Sequence, residues 1–195
     1  MNEFVLYLKI GFQHIVDLKG MDHLLFVIAL CVRYQFSDWK KLLVLVTAFT
    51  IGHTITLILS VFDLINYSMN WIEFLIPVTI VITSISNVFV KKFVFKEKFP
   101  SIYFFALFFG LIHGLGFSNY LKSLLGKGES VIFQLLSFNI GLEFGQFLIV
   151  LFILLITFIL ISLFKINRRE YMLFISAVTF ALALQMAIER LPFHL

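Results

Sequence analysis

Ionisable side chains inside long apolar segments are the residues of this chain with the clearest chemical potential. The histidines are His23, His53 and His113, and the two acids that accompany them are Asp22 and Glu143. An ionisable side chain at the centre of a membrane helix costs ~2.5–3.5 kcal/mol, so each needs a partner or a function. Imidazole and carboxylate groups are ligands of Zn, Ni, Co, Fe and Cu(II). These residue types predict a site for a divalent transition metal.

The depth of these residues supports one shared site. At 1.5 Å of rise per residue, all five fall within roughly 18 Å of the same predicted side of the bundle. The opposite halves of the same helices, such as Leu42–Val46 and Leu148–Ile161, are almost free of charge. For a single residue such as His53, a hydrogen bond to a neighbouring helix is an equally good explanation. The common depth favours a functional site, supported by a group of nearby polar residues: Asn139, Glu73, Gln146 and Thr50.

Composition places the chain in a membrane. Its 195 residues are 61% hydrophobic and 13% charged, against about 25% charged in a soluble domain. Helices satisfy their own backbone hydrogen bonds, so they can present apolar side chains to lipid. We therefore predict an all-α integral membrane bundle that forms one transmembrane domain over 1–195. Cys31 is the single cysteine, which excludes an intramolecular disulfide and a thiolate-rich metal site.

The apolar segments predict six transmembrane helices, of which the first is shorter and the fifth longer than the ~20 residues that cross a bilayer. They make up a six-helix bundle over 20–195, and residues 1–19 are expected to form a helix in the interface plane or a re-entrant segment. The six segments are Met21–Val32, Trp39–Phe62, Trp71–Phe95, Ser101–Asn119, Val131–Phe164 and Tyr171–Leu191. Two pairs of small residues, Gly110 with Gly114 and Gly141 with Gly145, predict that the fourth and fifth helices pack together and bring His113 towards Glu143.

The 15 Lys and Arg residues lie in short loops and not on a continuous basic face, which argues against a nucleic-acid partner. The two sides of the six spans carry unequal numbers of them. Ten fall on one side (Arg33, Lys40, Lys41, Lys91, Lys92, Lys96, Lys98, Lys165, Arg168, Arg169) and five on the other (Lys9, Lys19, Lys122, Lys127, Arg190). The positive-inside rule then predicts a multi-pass protein of the bacterial inner membrane with both termini, and the metal site, on the extracytoplasmic side.

The chain resembles the HupE/UreJ family, whose members are regarded as nickel or cobalt permeases associated with hydrogenase and urease maturation. The resemblance rests on strings in the same order along most of the chain: Gly20–Phe26, Phe49–Leu57, Ile72-Glu73, Phe109–Phe117 and Phe138–Gln146. It implies a bundle of about six helices and a metal-handling role for His14, Asp22, His23 and His113. The interval between His14 and Asp22 is longer here than in the family pattern.

Three functions fit these observations. The first is a permease for Ni, Co or a Zn-like ion, although the far halves of the helices show no second set of ligands and no inverted repeat of the kind that alternating access uses. The second is an intramembrane metalloenzyme, in which the metal activates water and Glu143 or Asp22 acts as general base on a lipid or lipidated peptide. The third is a metal-dependent structural or sensory subunit. An oligomer or an accessory membrane partner is compatible with each.

Overall fold

In the computed structural model of the protein, the described residues are 2–17, 20–90, 93, 101–124 and 131–192, and they are almost entirely helical. The helices are α1 (Glu3–Val16), α2 (Asp22–Cys31), α3 (Trp39–Val61), α4 (Met69–Val88), α5 (Ile102–Leu124), α6 (Val131–Phe158) and α7 (Arg168–Glu189). A 3-10 turn, Phe36–Asp38, precedes α3, and a π-helical segment, Ile159–Leu163, continues α6. The prediction of an all-helical membrane bundle is confirmed. Several residues of the charge count, among them Lys19, Lys91, Lys92, Lys96, Lys98 and Lys127, lie outside the described residues.

Five of the described helices, α3 to α7, are long and apolar enough to cross a membrane. The remaining apolar helix, α2, has 10 residues and is therefore only about 15 Å long, half of the hydrocarbon thickness. The loops reverse the chain between successive long helices. We call the end of the bundle where α4 and α6 begin the upper end, and the opposite end the lower end.

Helix α1 packs lengthwise along the upper half of α6 and runs in the same direction. Near its start Phe4 contacts Phe133, and near its end Phe12 contacts Phe144. Between them Gly11 is so close to α6 that a Cβ there would overlap the carbonyl of Phe138. Residues 1–19 were predicted to form an interfacial or re-entrant helix. The packing of Gly11 and of the apolar face of α1 in the groove of a long helix favours the re-entrant alternative.

Helix α2 continues from the level where α1 ends towards the lower end. The rings of His14 in α1 and His23 in α2 lie 4.5 Å apart between centroids. At its other end, the carbonyl of Ala29 accepts a hydrogen bond of 2.8 Å from Asn87, which is near the lower end of α4. With 14 and 10 residues, α1 and α2 together reach about 36 Å, enough to span the hydrocarbon core. Together the two helices have the length of one crossing, which Met21–Val32 alone does not have, and we call α1 and α2 together the broken first span.

The small-residue pairs make close helix contacts, but not with each other. A Cβ at Gly110 would overlap the carbonyl of Phe49, and one at Gly114 would overlap the carbonyl of His53, so α5 packs on α3. A Cβ at Gly141 would overlap Leu8 of α1. The prediction that these two pairs join the fourth and fifth spans was wrong. A stripe of small residues permits close approach of any helix, and its spacing does not say which one.

Candidate metal centre

Three histidines from three helices meet at the break in the first span. His14 lies in the last turn of α1, His23 follows the first residue of α2, and His53 lies in α3 about 12 Å below that helix's upper end. One ring nitrogen from each lies within 4.8 Å of the other two. Nitrogen ligands of one Zn-like ion sit ~2.0–2.1 Å from it, so opposite ligands are at most ~4.2 Å apart. A contraction of about 1 Å would bring the three nitrogens into ligand geometry.

The nitrogens of this group lack partners among the described residues. They are His14 Nε2, His23 Nε2 and both ring nitrogens of His53, all buried. A buried polar atom without a hydrogen bond costs ~1–3 kcal/mol. His53 is fully buried, so neither of its nitrogens can turn to water. Four such atoms at one place make this group a candidate metal site, since neutral imidazole is the commonest protein ligand of transition metals.

His113 stands beside this trio and is held by a hydroxyl. Its ring centroid lies 5.2 Å from that of His23, and its Nε2 is 3.1 Å from Thr79 Oγ1. Thr79 donates its only hydroxyl proton to the carbonyl of Ile76 at 2.7 Å, so its oxygen accepts from His113 Nε2–H. The unprotonated nitrogen is then Nδ1, which is buried and has no partner among the described residues. A hydroxyl that fixes the tautomer in this way is typical of the groups that orient metal-binding histidines.

Aromatic rings form the walls around the histidines. The ring of Phe117 lies 3.7 Å from that of His14 between centroids. Phe138 is stacked with His53 at 6.3 Å, and Phe26 lies 5.1 Å from His113. These rings restrict the imidazoles to narrow ranges of orientation, and the apolar surroundings that they provide strengthen the interactions of a bound ion.

A cavity of about 320 Å³ joins the histidines to the upper end. It is lined by His14, His23 and His113 and by the charged residues Asp17, Asp22, Glu73 and Arg190. Asp17 and Glu73 are exposed, so the cavity opens to the surface. A second cavity of about 840 Å³ shares His14 and Asp17 with the first. A cation that approaches from the upper end would therefore meet carboxylates before it meets the imidazoles.

The other predicted site residues form a separate row between α3 and α6. Thr47 donates to Glu143 at 2.7 Å, Thr50 donates to Gln146 at 2.7 Å, and Thr54 donates to Asn139 at 2.8 Å. Glu143, Asn139, Thr47, Thr50 and Thr54 also line an apolar groove on the outside of the bundle. Because α6 packs its glycines on α1, these side chains turn towards α3 and not into the cavity of the histidines.

The predicted and observed sites overlap in part. The structure brings together His14, His23, His53 and His113, places Glu73 on the same cavity, and pairs Asp22 with Arg190. It places Glu143, Asn139, Gln146 and Thr50 in the row described above. Sequence reasoning missed Asp17, Thr79 and Phe117 and counted Arg190 only for topology. The position of Asp17 one turn after His14 could have been a signal, whereas Thr79 and Phe117 give none.

This arrangement defines a helical multi-pass membrane protein with a cluster of histidines at the break of its first span. The profile of a family described as HupE / UreJ protein matches residues 1–190. The chain therefore belongs to the HupE/UreJ family, which is associated with nickel and cobalt transport or accessory roles. No curated protein and no solved structure matches the chain.

Proposed function

We propose that the protein binds a divalent transition metal ion, Ni²⁺ or Co²⁺ in its biological setting, through His14, His23 and His53, as the first step of moving it across the membrane. The observation that carries the proposal is the group of three imidazoles whose nitrogens lie within 4.8 Å of one another. Nitrogen donors suit Ni²⁺, Co²⁺ and Zn²⁺ better than Ca²⁺ or Mg²⁺, which prefer oxygen. The ion is the substrate in this proposal.

The role of each residue follows from its place. The carboxylates at the cavity mouth attract the cation, since charged groups around a cleft raise the local concentration of the opposite charge. His14 and His23 come from the two halves of a broken helix, so a change in the angle of the break would move one ligand relative to the other. Broken helices also form the substrate sites of many transporters. His113 stands next to the trio as a fourth imidazole.

We also propose an orientation. The broken first span and the five long helices give six crossings, so both termini lie on one side. The excess of Lys and Arg at the lower end assigns that end to the cytoplasm of a bacterial inner membrane. Reporter fusions at residues 2 and 192 are expected to show the same, extracytoplasmic, location. Fusions that report opposite sides would contradict the pairing of α1 with α2 as one crossing.

Metal content and flux together test the proposed function. Protein purified from cells grown with Ni²⁺ is expected to contain one ion per chain by elemental analysis, and His53→Ala is expected to contain less than a tenth as much. His194→Ala, which removes the one histidine outside the described residues, is the matched control. Proteoliposomes are expected to take up Ni²⁺ in a manner that His53→Ala abolishes. Wild-type protein without bound metal would contradict the proposal.

One observation favours a second function, a fixed metal centre in an intramembrane enzyme. Helix α2, which leads from the histidines to the lower end, is tightly packed. Seven of its 10 residues are buried, and the buried Arg33 follows its end. A site open to one side needs no lower path, and a metal-bound water there would react with a substrate from the upper end. Stoichiometric metal in liposomes that show no flux would favour this function over transport.

A further inference from the structure

Arg190 brings a positive charge to the cavity that we propose to bind a cation. It follows α7 directly and lines the 320 Å³ cavity together with His14, His23 and His113. With the histidines neutral, Arg190 is the one cation among the described residues that line this cavity, against the three carboxylates of Asp17, Asp22 and Glu73. A fixed positive charge at this position repels an arriving metal ion, so its presence needs a reason.

The partner of Arg190 is the residue that precedes a metal-binding histidine. Nη1 of Arg190 lies 3.2 Å from both Oδ1 and Oδ2 of Asp22. Asp22 is the first residue of α2, and His23 is the second. The carboxylate thus stands at the helix N-terminus, where the helix dipole favours negative charge, and directly beside a predicted ligand.

The geometry of the pair is that of a weak contact. One nitrogen is shared between two oxygens at 3.2 Å, whereas a two-nitrogen fork with distances of ~2.7–2.9 Å is the strong form. The Arg190 side chain is 32% exposed and that of Asp22 is 14% exposed. Partly exposed ion pairs of this kind contribute little to stability. The ion pair of Arg190 and Asp22 can therefore break, and Asp22 can take another partner, without unfolding of the upper end.

We propose that Arg190 is a built-in counter-ion that holds Asp22 while the site is empty and gives it up when a divalent cation binds, so that Arg190 sets the affinity of the site. The inference rests on the proposed function. The arriving ion places two positive charges near Asp22 where the guanidinium placed one, and Arg190 moves out towards solvent. The released carboxylate then neutralises part of the charge of the ion. An ion of single charge gains less from this exchange, so Arg190 also favours divalent over monovalent cations.

Competition of Ni²⁺ between the purified full-length protein and a coloured chelator tests this inference. At low ionic strength Arg190→Gln is expected to tighten Kd roughly 3- to 10-fold, because the ion no longer has to displace a guanidinium from Asp22, and the gain is expected to shrink in high salt. Arg190→Lys, which keeps the charge, is expected to bind as wild type does. Arg169→Gln removes one positive charge at the lower end and is expected to leave Kd unchanged.

Coupling to Asp22 separates a counter-ion from a structural contact. Asp22→Asn is expected to weaken Kd, and adding Arg190→Gln to it is expected to give no tightening, since the two residues act as a pair. A purely structural contact would lower the unfolding temperature of Arg190→Gln and leave Kd equal or weaker. Saturable Ni²⁺ binding with an unchanged or weaker Kd in Arg190→Gln overturns this inference alone. Wild-type protein that binds no Ni²⁺ overturns the proposed function together with it.

Discussion

At the level of the helix break, four histidines leave five buried ring nitrogens without partners among the described residues. At the lower end, by contrast, the buried guanidinium of Arg33 makes three side-chain hydrogen bonds. Arg33 donates to the side-chain oxygen of Asn87 at 2.7 and 3.0 Å and to Ser86 at 3.0 Å. The amide nitrogen of Asn87 in turn donates to Ala29 and Ser176. One region is where we propose that a metal ion binds, whereas the polar side chains of the other hold the helices together.

The two regions also differ in the charge of the groups that they carry. Imidazoles are ligands for a cation, and the cavity above them carries carboxylates. The lower end carries guanidinium groups, since Arg168 donates to the carbonyl of Arg33 at 2.8 Å and lies over the ring of Phe93 at 4.1 Å. Burial lowers the pKa of Arg33, although an arginine keeps its charge at neutral pH. A cation that left the histidines along α2 would meet this positive charge, so a path for transport must run elsewhere or require a change of conformation.

Gly110→Ala is expected to have the largest effect, because it separates the helices that carry His53 and His113. The new Cβ would overlap the carbonyl of Phe49, and a backbone shift of this kind costs ~3 kcal/mol or more. Loss of folded protein by size-exclusion chromatography, with loss of metal, is the expected result. Gly20→Ala, where the new Cβ meets nothing within 4 Å, is the matched control. A folded Gly110→Ala protein with full metal content would contradict the packing of α5 on α3.

Asn87→Ala tests the lower region alone. It leaves the buried Arg33 without its main acceptor, which is expected to cost ~2–4 kcal/mol of folding stability. The unfolding temperature in detergent should fall clearly, while the metal bound per folded chain stays at the wild-type value. Asn119→Ala, at an exposed asparagine of the upper end, should change neither. A lower metal affinity in folded Asn87→Ala protein would show that the two regions are coupled, which would contradict their separate roles.

Thr79→Val tests the upper region without removing a histidine. The variant keeps the shape of the side chain but cannot accept the proton of His113 Nε2. Losing such an orienting group typically costs 10–100-fold in metal affinity, and we expect about tenfold with little change in unfolding temperature. Thr83→Val is the control. Thr83 lies one turn below Thr79 in α4, and its hydroxyl donates to the carbonyl of Thr79. Equal Kd values for the two variants would show that His113 does not take part in metal binding.

Glu143→Gln is expected to have the smallest effect. Its amide can still accept from Thr47 in place of the carboxylate, and the residue does not line the cavity of the histidines. Metal content by elemental analysis should equal that of wild type, and Kd should change less than about twofold, within the range of a remote substitution. If the variant loses its metal, Glu143 is a ligand, as the depth in the membrane predicted from the sequence suggested.

The sequence predicted the elements better than their contacts. Hydropathy alone located the five long helices, and the cost of burying charge pointed to His23, His53 and His113. The combination of α1 and α2 into one crossing was missed, because neither segment alone is long enough to be recognised as a span. The partners predicted for Gly110 and Gly141 were wrong, because one glycine stripe fits many helices. Glu143, which was predicted to approach His113, accepts a hydrogen bond from Thr47 of α3. The pair of Asp22 with Arg190 joins residues at opposite ends of the chain, which no local pattern can connect.

X-ray absorption spectroscopy of the Ni²⁺-loaded protein tests the central claim most directly, because it counts the atoms that touch the metal. We expect at least three imidazole nitrogens at ~2.0–2.1 Å, the usual length of a bond from histidine to a divalent ion of this size. One imidazole should be lost in each of His14→Ala, His23→Ala and His53→Ala that still retains metal. A spectrum with oxygen ligands alone, or one that these three substitutions leave unchanged, would contradict a metal centre at the break of the first span.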